Sequence, residues 1–388
     1  AYWDGGADGG VGALLAQPLR DSSWALLVAA PVLLLWLLAP TVAWWMSRPL
    51  VEHILQLNRA QTVFLRQLAR RTWGFFERFV TAQDHWLPPD NFQEHPVAVL
   101  AHRTSPTNMG LALLANVSAY DFGYLSAGGL LARSSNALHA MQTLERHAGH
   151  FFNWYDTLTT RPLPPRYLSA VDSGNLCGHL LTLRPALLGL LDQRVLHARV
   201  FEGLLDAVGN LQDAMGQQEG VPLTQAVAEL LQTLAAAQDA PPTSLHSAAH
   251  TLDGLHAGIK QLLECLQADP LLAQHPGVNQ WASALQAQCQ DVQSDLLVWL
   301  QDPNAHAPDR DSGVPTLRQL AEQGQAAARV RMAQIQALAD LAGSLAQADY
   351  SLLYDQARHL IAVGYNVDEH RRDSGYYDLL ASEARLCS

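Results

Sequence analysis

Four stretches of the chain hold residue types that could do chemistry. In GHFFNWYDT (Gly149–Thr157), Phe151, Phe152, Trp154 and Tyr155 are interleaved with Asn153 and Asp156 in what reads as a loop. Aromatic faces stack on the C–H faces of sugar rings, and Asn and Asp side chains take hydroxyl groups. Ordinary packing accounts for loop aromatics just as well. In SAVDSGNLCGHL (Ser169–Leu180), Asp172 and Asn175 fall at a helix start, where N-capping explains both without any ligand. In HRTSPTNMG (His102–Gly110), Arg103 could clamp a polar ligand, but the opening of a helix explains Thr104 to Asn108 equally well. In YYDLLASEARL (Tyr376–Leu386), Asp378 and Glu383 stand five apart on an expected helix, offset by about 140°. They do not share a face, so a paired-carboxylate site would need a partner from elsewhere, and Glu383 could instead pair with Arg385.

The elements that must position these residues are helices. Ile54, Leu55, Leu57, Val63, Phe64, Leu65 and Leu68 mark an amphipathic helix over 51–80, which the prolines of WLPPDN (Trp86–Asn91) end. TSPTN supplies N-caps for the apolar helix MGLALLANVSAY, a second helix runs over about 130–147, and a third begins near Leu176. Residues 201–300 hold 11 acidic residues and one basic one, so 10 of the 12 net negative charges sit here, which reads as a solvated face, with an acidic docking surface as the alternative. The helix-forming sequences there predict a helical hairpin that scaffolds and does no chemistry. A long helix from about 317 to 347 and a helix starting near Tyr377 complete the pattern. No useful stretch alternates with period two, so the chain reads as all-α.

Near the start, Trp24–Met46 (WALLVAAPVLLLWLLAPTVAWWM) carries no charge and has tryptophans at both ends. About 20 apolar residues cross the hydrocarbon, and indoles favour its edges. A buried core helix or a signal peptide is the alternative, but Asp4, Asp8 and Asp21 precede the segment where a signal peptide would be basic. Arg48, Arg59, Arg66, Arg70 and Arg71 follow it, which puts the C-terminal side in the cytoplasm and residues 1–22 outside as a short stub.

Composition narrows the rest. A net charge of −12 argues against a general nucleic-acid binder. The four cysteines show no CxxC spacing, so neither a zinc site nor a disulfide framework is expected. The histidines fall into no metal-ligand spacing, His147 and His150 straddling Gly149 at a helix end. There is no Walker loop, GxGxxG after a strand, HExxH or GxSxG, and no cofactor is expected.

Taken together, LARRTWGFFERFV, WLPPDNFQEHPVAVLAHRTSPTNMGLALL, GHFFNWYDTLTTRPLPPRYLSAVDSGNLCGHL and LIAVGYNVDEHRRDSGYYDLLASEARL resemble the cyclic β-1,2-glucan synthase family of bacterial inner membranes. Such proteins join a UDP-glucose glycosyltransferase domain, membrane spans, a glucoamylase-like (α/α)6 domain that cyclises the chain by transglycosylation, and a phosphorylase-like domain. The resemblance implies a transmembrane helix (23–47) followed by a partial (α/α)6 barrel: its N-terminal part at 48–200, a helical insertion at 201–315 and further barrel helices at 316–388. It implies a fragment, with the remaining synthase domains, the membrane and a β-1,2-glucan chain as partners. Cyclisation in the family is read here as a retaining transglycosylation, with Glu383 as acid/base and a nucleophile beyond Ser388. Arg103, Asn153, Trp154, Tyr155, Asp156, Asp172 and Asn175 would line the glucan cleft. A membrane-tethered helical module that binds glucan, or merely scaffolds, without catalysis is the alternative.

Overall fold

The structure is a computed structural model that describes residues 23–47, 57–216, 221–301 and 313–376. The chain divides into two compact units, 1–58 and 59–388.

In the first unit, helix α1 (Ser23–Met46) runs without interruption across Pro31 and Pro40. Its Val28–Met46 part is 19 residues long, with mean hydropathy 1.8 and none of it buried. At 1.5 Å per residue this is about 28 Å, the thickness of a hydrocarbon layer. Trp36 and Leu37 are 69% and 75% exposed. The segment is long and apolar enough to cross a membrane.

The second unit is predominantly helical. Helix α2 (Arg59–Phe79) is amphipathic, and Arg70, Trp73 and Gly74 are its buried residues. Three further helices open on serine caps: α3 (Pro106–Asp121) on Ser105, α4 (Ala127–Thr143) on Ser126 and α5 (Ala170–Gly189) on Ser169. In each, the hydroxyl accepts a backbone N–H three residues on, which satisfies a donor the helix cannot. The third helix therefore starts six residues before Leu176, and the cap is Ser169, not Asp172 or Asn175. A serine ahead of an apolar run carried that signal.

Residues 199–300 form α6 (Arg199–Met215), α7 (Val221–Asp239), α8 (Leu245–Ala268), the single turn α9 (Pro270–Ala273) and α10 (Pro276–Leu300). These helices share one core with α3, α4 and α5: Leu113, Leu138, Leu180, Leu204, Leu252 and Trp299 belong to a single buried apolar cluster. The expected long helix over 317–347 is two, α11 (Leu317–Glu322) and α12 (Ala326–Leu345), because Gly324 between them takes φ +97°. Helix α5 packs against both α3 and α12, while α10 packs against α6 and α8.

Short strands tie the loops together. Arg103–Thr104 pairs with Tyr155–Asp156, and Gly364–Asn366 lies between Tyr167–Ser169 and Arg371–Arg372. At two or three residues each, they are too short to leave an alternating pattern in the sequence. His147 and His150 do not mark a helix end; they close a hairpin whose two turn residues, Ala148 and Gly149, both have positive φ.

One buried cation organises the middle of the unit. Arg70 is fully buried, donates to both carboxylate oxygens of Glu77 (2.8 and 3.2 Å) and to Gln288 Oε1 (3.2 Å), and lies 5.4 Å from the Tyr124 and Trp281 rings. A charge so placed is tolerated only because its donors find acceptors. Arg70→Ala should therefore cost about 3 kcal/mol in chemical denaturation, far above the typical effect of a surface change. A loss below about 1 kcal/mol would show that the ion pair is not structural.

A second buried polar link titrates. His150 Nδ1 pairs with Ser173 Oγ at 2.9 Å and Nε2 with the Asp349 carbonyl at 3.0 Å, so a neutral ring satisfies both neighbours, joining α5 to the segment after α12. Burial holds the His150 pKa below its ordinary value, with the Asp349 contacts opposing in part. The unfolded chain takes up this proton near pH 6.5, before the folded one does. Stability from this residue is thus complete above about pH 6.5 and lost as pH falls below it. His197, held at about 4 by burial and by Arg199 and Arg194, acts in the same direction. The melting temperature should fall from pH 7 to 5, and less steeply in His150→Asn. Equal slopes in the two proteins would remove His150 from this account.

Candidate functional site: a polar network at the starts of two helices

The N-termini of α3 and α5 lie side by side, and a continuous chain of polar contacts runs across them. Asp172, in the first turn of α5, accepts the Thr107 hydroxyl of α3 at 2.5 Å. A hydroxyl-to-carboxylate bond this short is charge-assisted, and the carboxylate also sits where the helix dipole favours it. Asn175 Nδ2 donates to the same Thr107 oxygen at 3.2 Å. With its amide turned to suit both neighbours, Asn153 donates to Asp172 Oδ2 at 2.8 Å and accepts from the Trp154 indole N–H at 3.1 Å. The Arg103 guanidinium lies 4.7 Å from the Trp154 ring centre. Arg103 in turn holds Asp90 through Nε (3.2 Å) and Nη2 (2.9 Å), and Asp90 Oδ1 accepts from Asn108 of α3 at 3.4 Å.

Local sequence explains each placement. In FFNWY, Phe151, Phe152 and Tyr155 are buried while Asn153 and Trp154 stay partly exposed. The apolar side chains anchor the loop and leave Asn153 and Trp154 toward its surface. Asp90 and Arg103 meet because the hairpin Phe92–Gln93 with Val99–Leu100 folds the chain back between them.

The structure brings together Arg103, Asn153, Trp154, Asp172 and Asn175, and places two other expected residues differently. Tyr155 does not line this surface. It is fully buried, accepts the Phe152 N–H at 2.8 Å and donates to the Glu145 carbonyl at 2.6 Å, and burial raises its pKa. Its ring is expected from the sequence to face the cleft with the other loop aromatics, whereas in the fold it closes the loop's base. Asp156 is partly exposed, and its Oδ1 accepts the Leu158 and Thr159 N–H groups and the Thr159 hydroxyl. Burial opposes its ionisation, but these donors prevail and hold its carboxyl below the usual carboxylate range. Asp378 and Glu383 lie outside the described residues. Thr107, Asp90 and Asn108 were missed: TSPTN and PPDN read as turn and cap residues, and nothing local reports that they meet across the hairpin.

The network offers hydrogen-bond donors and acceptors around a partly exposed indole, a composition that suits contact with a saccharide. Its carboxylates are engaged: Asp90 and Asp172 each accept from protein donors through both oxygens. These contacts hold the two carboxylates in place.

No family model matches the chain. Over 375 residues it is 34% identical to the cyclic β-(1,2)-glucan synthase NdvB of Rhizobium meliloti (strain 1021), an alignment that covers 93% of this chain and 12% of that protein. The resemblance read from the sequence stands. This chain is similar to one segment of a cyclic β-1,2-glucan synthase and spans about an eighth of its length. A Bacteroides fragilis crystal structure assigned as a glucoamylase covers 76% of this chain and 95% of its own, at 11% identity and a TM-score of 0.29.

The hub of the network can be tested by itself. Thr107→Ala leaves Asp172 Oδ1 and Asn175 Nδ2 without their protein partner. It should cost about 1–3 kcal/mol in urea denaturation, as partly buried polar groups left unpaired do. An unchanged midpoint would show that water replaces the hydroxyl freely.

Proposed function

We propose that this chain is a region of a membrane-bound cyclic β-1,2-glucan synthase that holds the glucan for cyclisation by transglycosylation. The observation that carries the reading is the Arg103–Trp154–Asn153–Asp172 contact chain, together with the long similarity to a glucan synthase. A glucosyl ring would rest on the partly exposed Trp154, and its hydroxyls would exchange bonds with Asn153, Asp172 and Arg103. Arg103, fixed by Asp90, would set the indole's attitude before the sugar arrives, which lowers the ordering cost of binding. Helix α1 would tether this region to the inner membrane, with residues from 51 onward in the cytoplasm.

For the covalent step we keep Glu383 as acid/base. In a retaining transfer one carboxylate attacks the anomeric carbon while a second protonates the departing oxygen; the second then deprotonates the incoming hydroxyl, whose oxygen bonds to the anomeric carbon and releases the first carboxylate. The nucleophile would come from the rest of the synthase. A second reading is a glucan-binding module without catalysis. The engagement of Asp90 and Asp172 by protein donors favours it for the described residues.

Calorimetry of the full chain in lipid nanodiscs with linear β-1,2-glucan tests the binding claim. Trp154→Ala should weaken binding about tenfold, equivalent to about 1.4 kcal/mol. Unaltered affinity would remove Trp154 from the site. In the complete synthase, Glu383→Gln should abolish cyclic product while glucan is still bound. Normal cyclisation there would show Glu383 to be structural.

A further inference from the structure

Away from the α3 and α5 starts, α2, α4 and α10 enclose an open cleft of about 500 Å³. We infer that this cleft is a second saccharide site, which grips a neutral sugar chain beside the Trp281 indole. The volume falls within the range of small-molecule pockets. Its wall combines Trp281 with Glu77, Asp291, Arg78, Arg133 and Gln288. Two carboxylates and two guanidiniums line it, with Glu77 also answering the buried Arg70, so the lining mixes both signs rather than presenting one to an ion. It offers acceptors, donors and an aromatic side chain together, which is what a hydroxyl-rich, uncharged ring requires.

The polar groups are fixed in advance. Glu77 is held by both Arg70 nitrogens, Gln288 by Arg70 and the Gly123 carbonyl, and Asp291 by the Ser126 N–H at 2.7 Å. Arg133 donates to the Phe76 carbonyl at 2.8 Å and lies 5.0 Å from the Trp73 ring centre. The space between them is kept open by small residues. At Gly74, in the C-terminal part of α2, an added Cβ would meet nothing within 4 Å, whereas at Gly129 it would come within 2.8 Å of Asp291. The Gly129 position thus lets Asp291 close on the start of α4, and the Gly74 position leaves room for a ligand. The saccharide class follows from this lining; that the saccharide is the synthase's own glucan rests on the proposed function.

Gly74 supplies the test. Leucine there fills the cleft and also favours the helix, so folding should be preserved and is checked by the melting temperature. The full chain in nanodiscs is titrated with linear β-1,2-gluco-oligosaccharides and, separately, with cello-oligosaccharides. The expected result is one binding component that Gly74→Leu and Trp281→Ala each weaken at least tenfold and that Trp154→Ala leaves intact. A component of this kind seen only with cello-oligosaccharides would uphold the cleft as a saccharide site while overturning the β-1,2-glucan reading. If Gly74→Leu, folded as the wild type, binds every sugar with wild-type affinity, the proposal is overturned. Binding that Trp154→Ala alone abolishes overturns it as well.

Discussion

The close approach of helices α3 and α5 depends on position 110 having no side chain. A Cβ on Gly110 would come within 2.2 Å of His179 Nδ1 and 2.9 Å of His179 Cβ. That contact fixes how closely the two helices approach, and so whether Thr107 and Asp172, a few residues away, can share a hydrogen bond. With the helices together, Ser105 and Ser169 cap adjacent N-termini, the Asn153–Trp154 loop is drawn onto Asp172, and Arg103 reaches the indole. Buried apolar packing between the helices supplies most of the free energy. The missing Cβ decides the geometry that the packing then holds.

Three arginines among the described residues of the second unit carry charge inward in the same way, each onto acceptors already in place. Arg70 takes Glu77 and Gln288. Arg66 pairs with Asp206, and Arg331 with Asp295, both aspartates being largely buried. In each case one partner comes from α6 or α10, within the acidic region 201–300. The acidity of that region is therefore not only a solvated face. Asp206 and Asp295 are counter-ions for arginines on α2 and α12, and Asp291 receives the start of α4. Helix α10, expected to scaffold without chemistry, also forms one wall of the 500 Å³ cleft.

Much of this was legible in the sequence. Apolar spacing gave the helices, the uncharged Trp24–Met46 run gave α1, and the aromatic and polar interleaving of HFFNWYD pointed to the loop that carries Trp154. What escaped was whatever depends on contacts between distant segments. Tyr155 and Trp154 are both loop aromatics, and only the fold shows that one closes the base and the other faces outward. Asp172 looked like a cap because it opens a helix. The cap is Ser169, which frees the aspartate to join α5 to α3. Thr107 and Asp90 carried no local signal, since their partners lie about 65 and 13 residues away. The break at Gly324 was missed because a single glycine also sits tolerably inside a helix.

The central claim is that the surface around Trp154 receives glucan. Oxidative footprinting of the full chain in nanodiscs, read by mass spectrometry of tryptophan-containing peptides, tests it at the residue itself. Partly exposed Trp154 should oxidise in the free protein and be protected several-fold at saturating linear β-1,2-glucan, while buried Trp299 stays unreactive throughout. Oxidation of Trp154 at the same rate with and without saturating glucan would contradict the account.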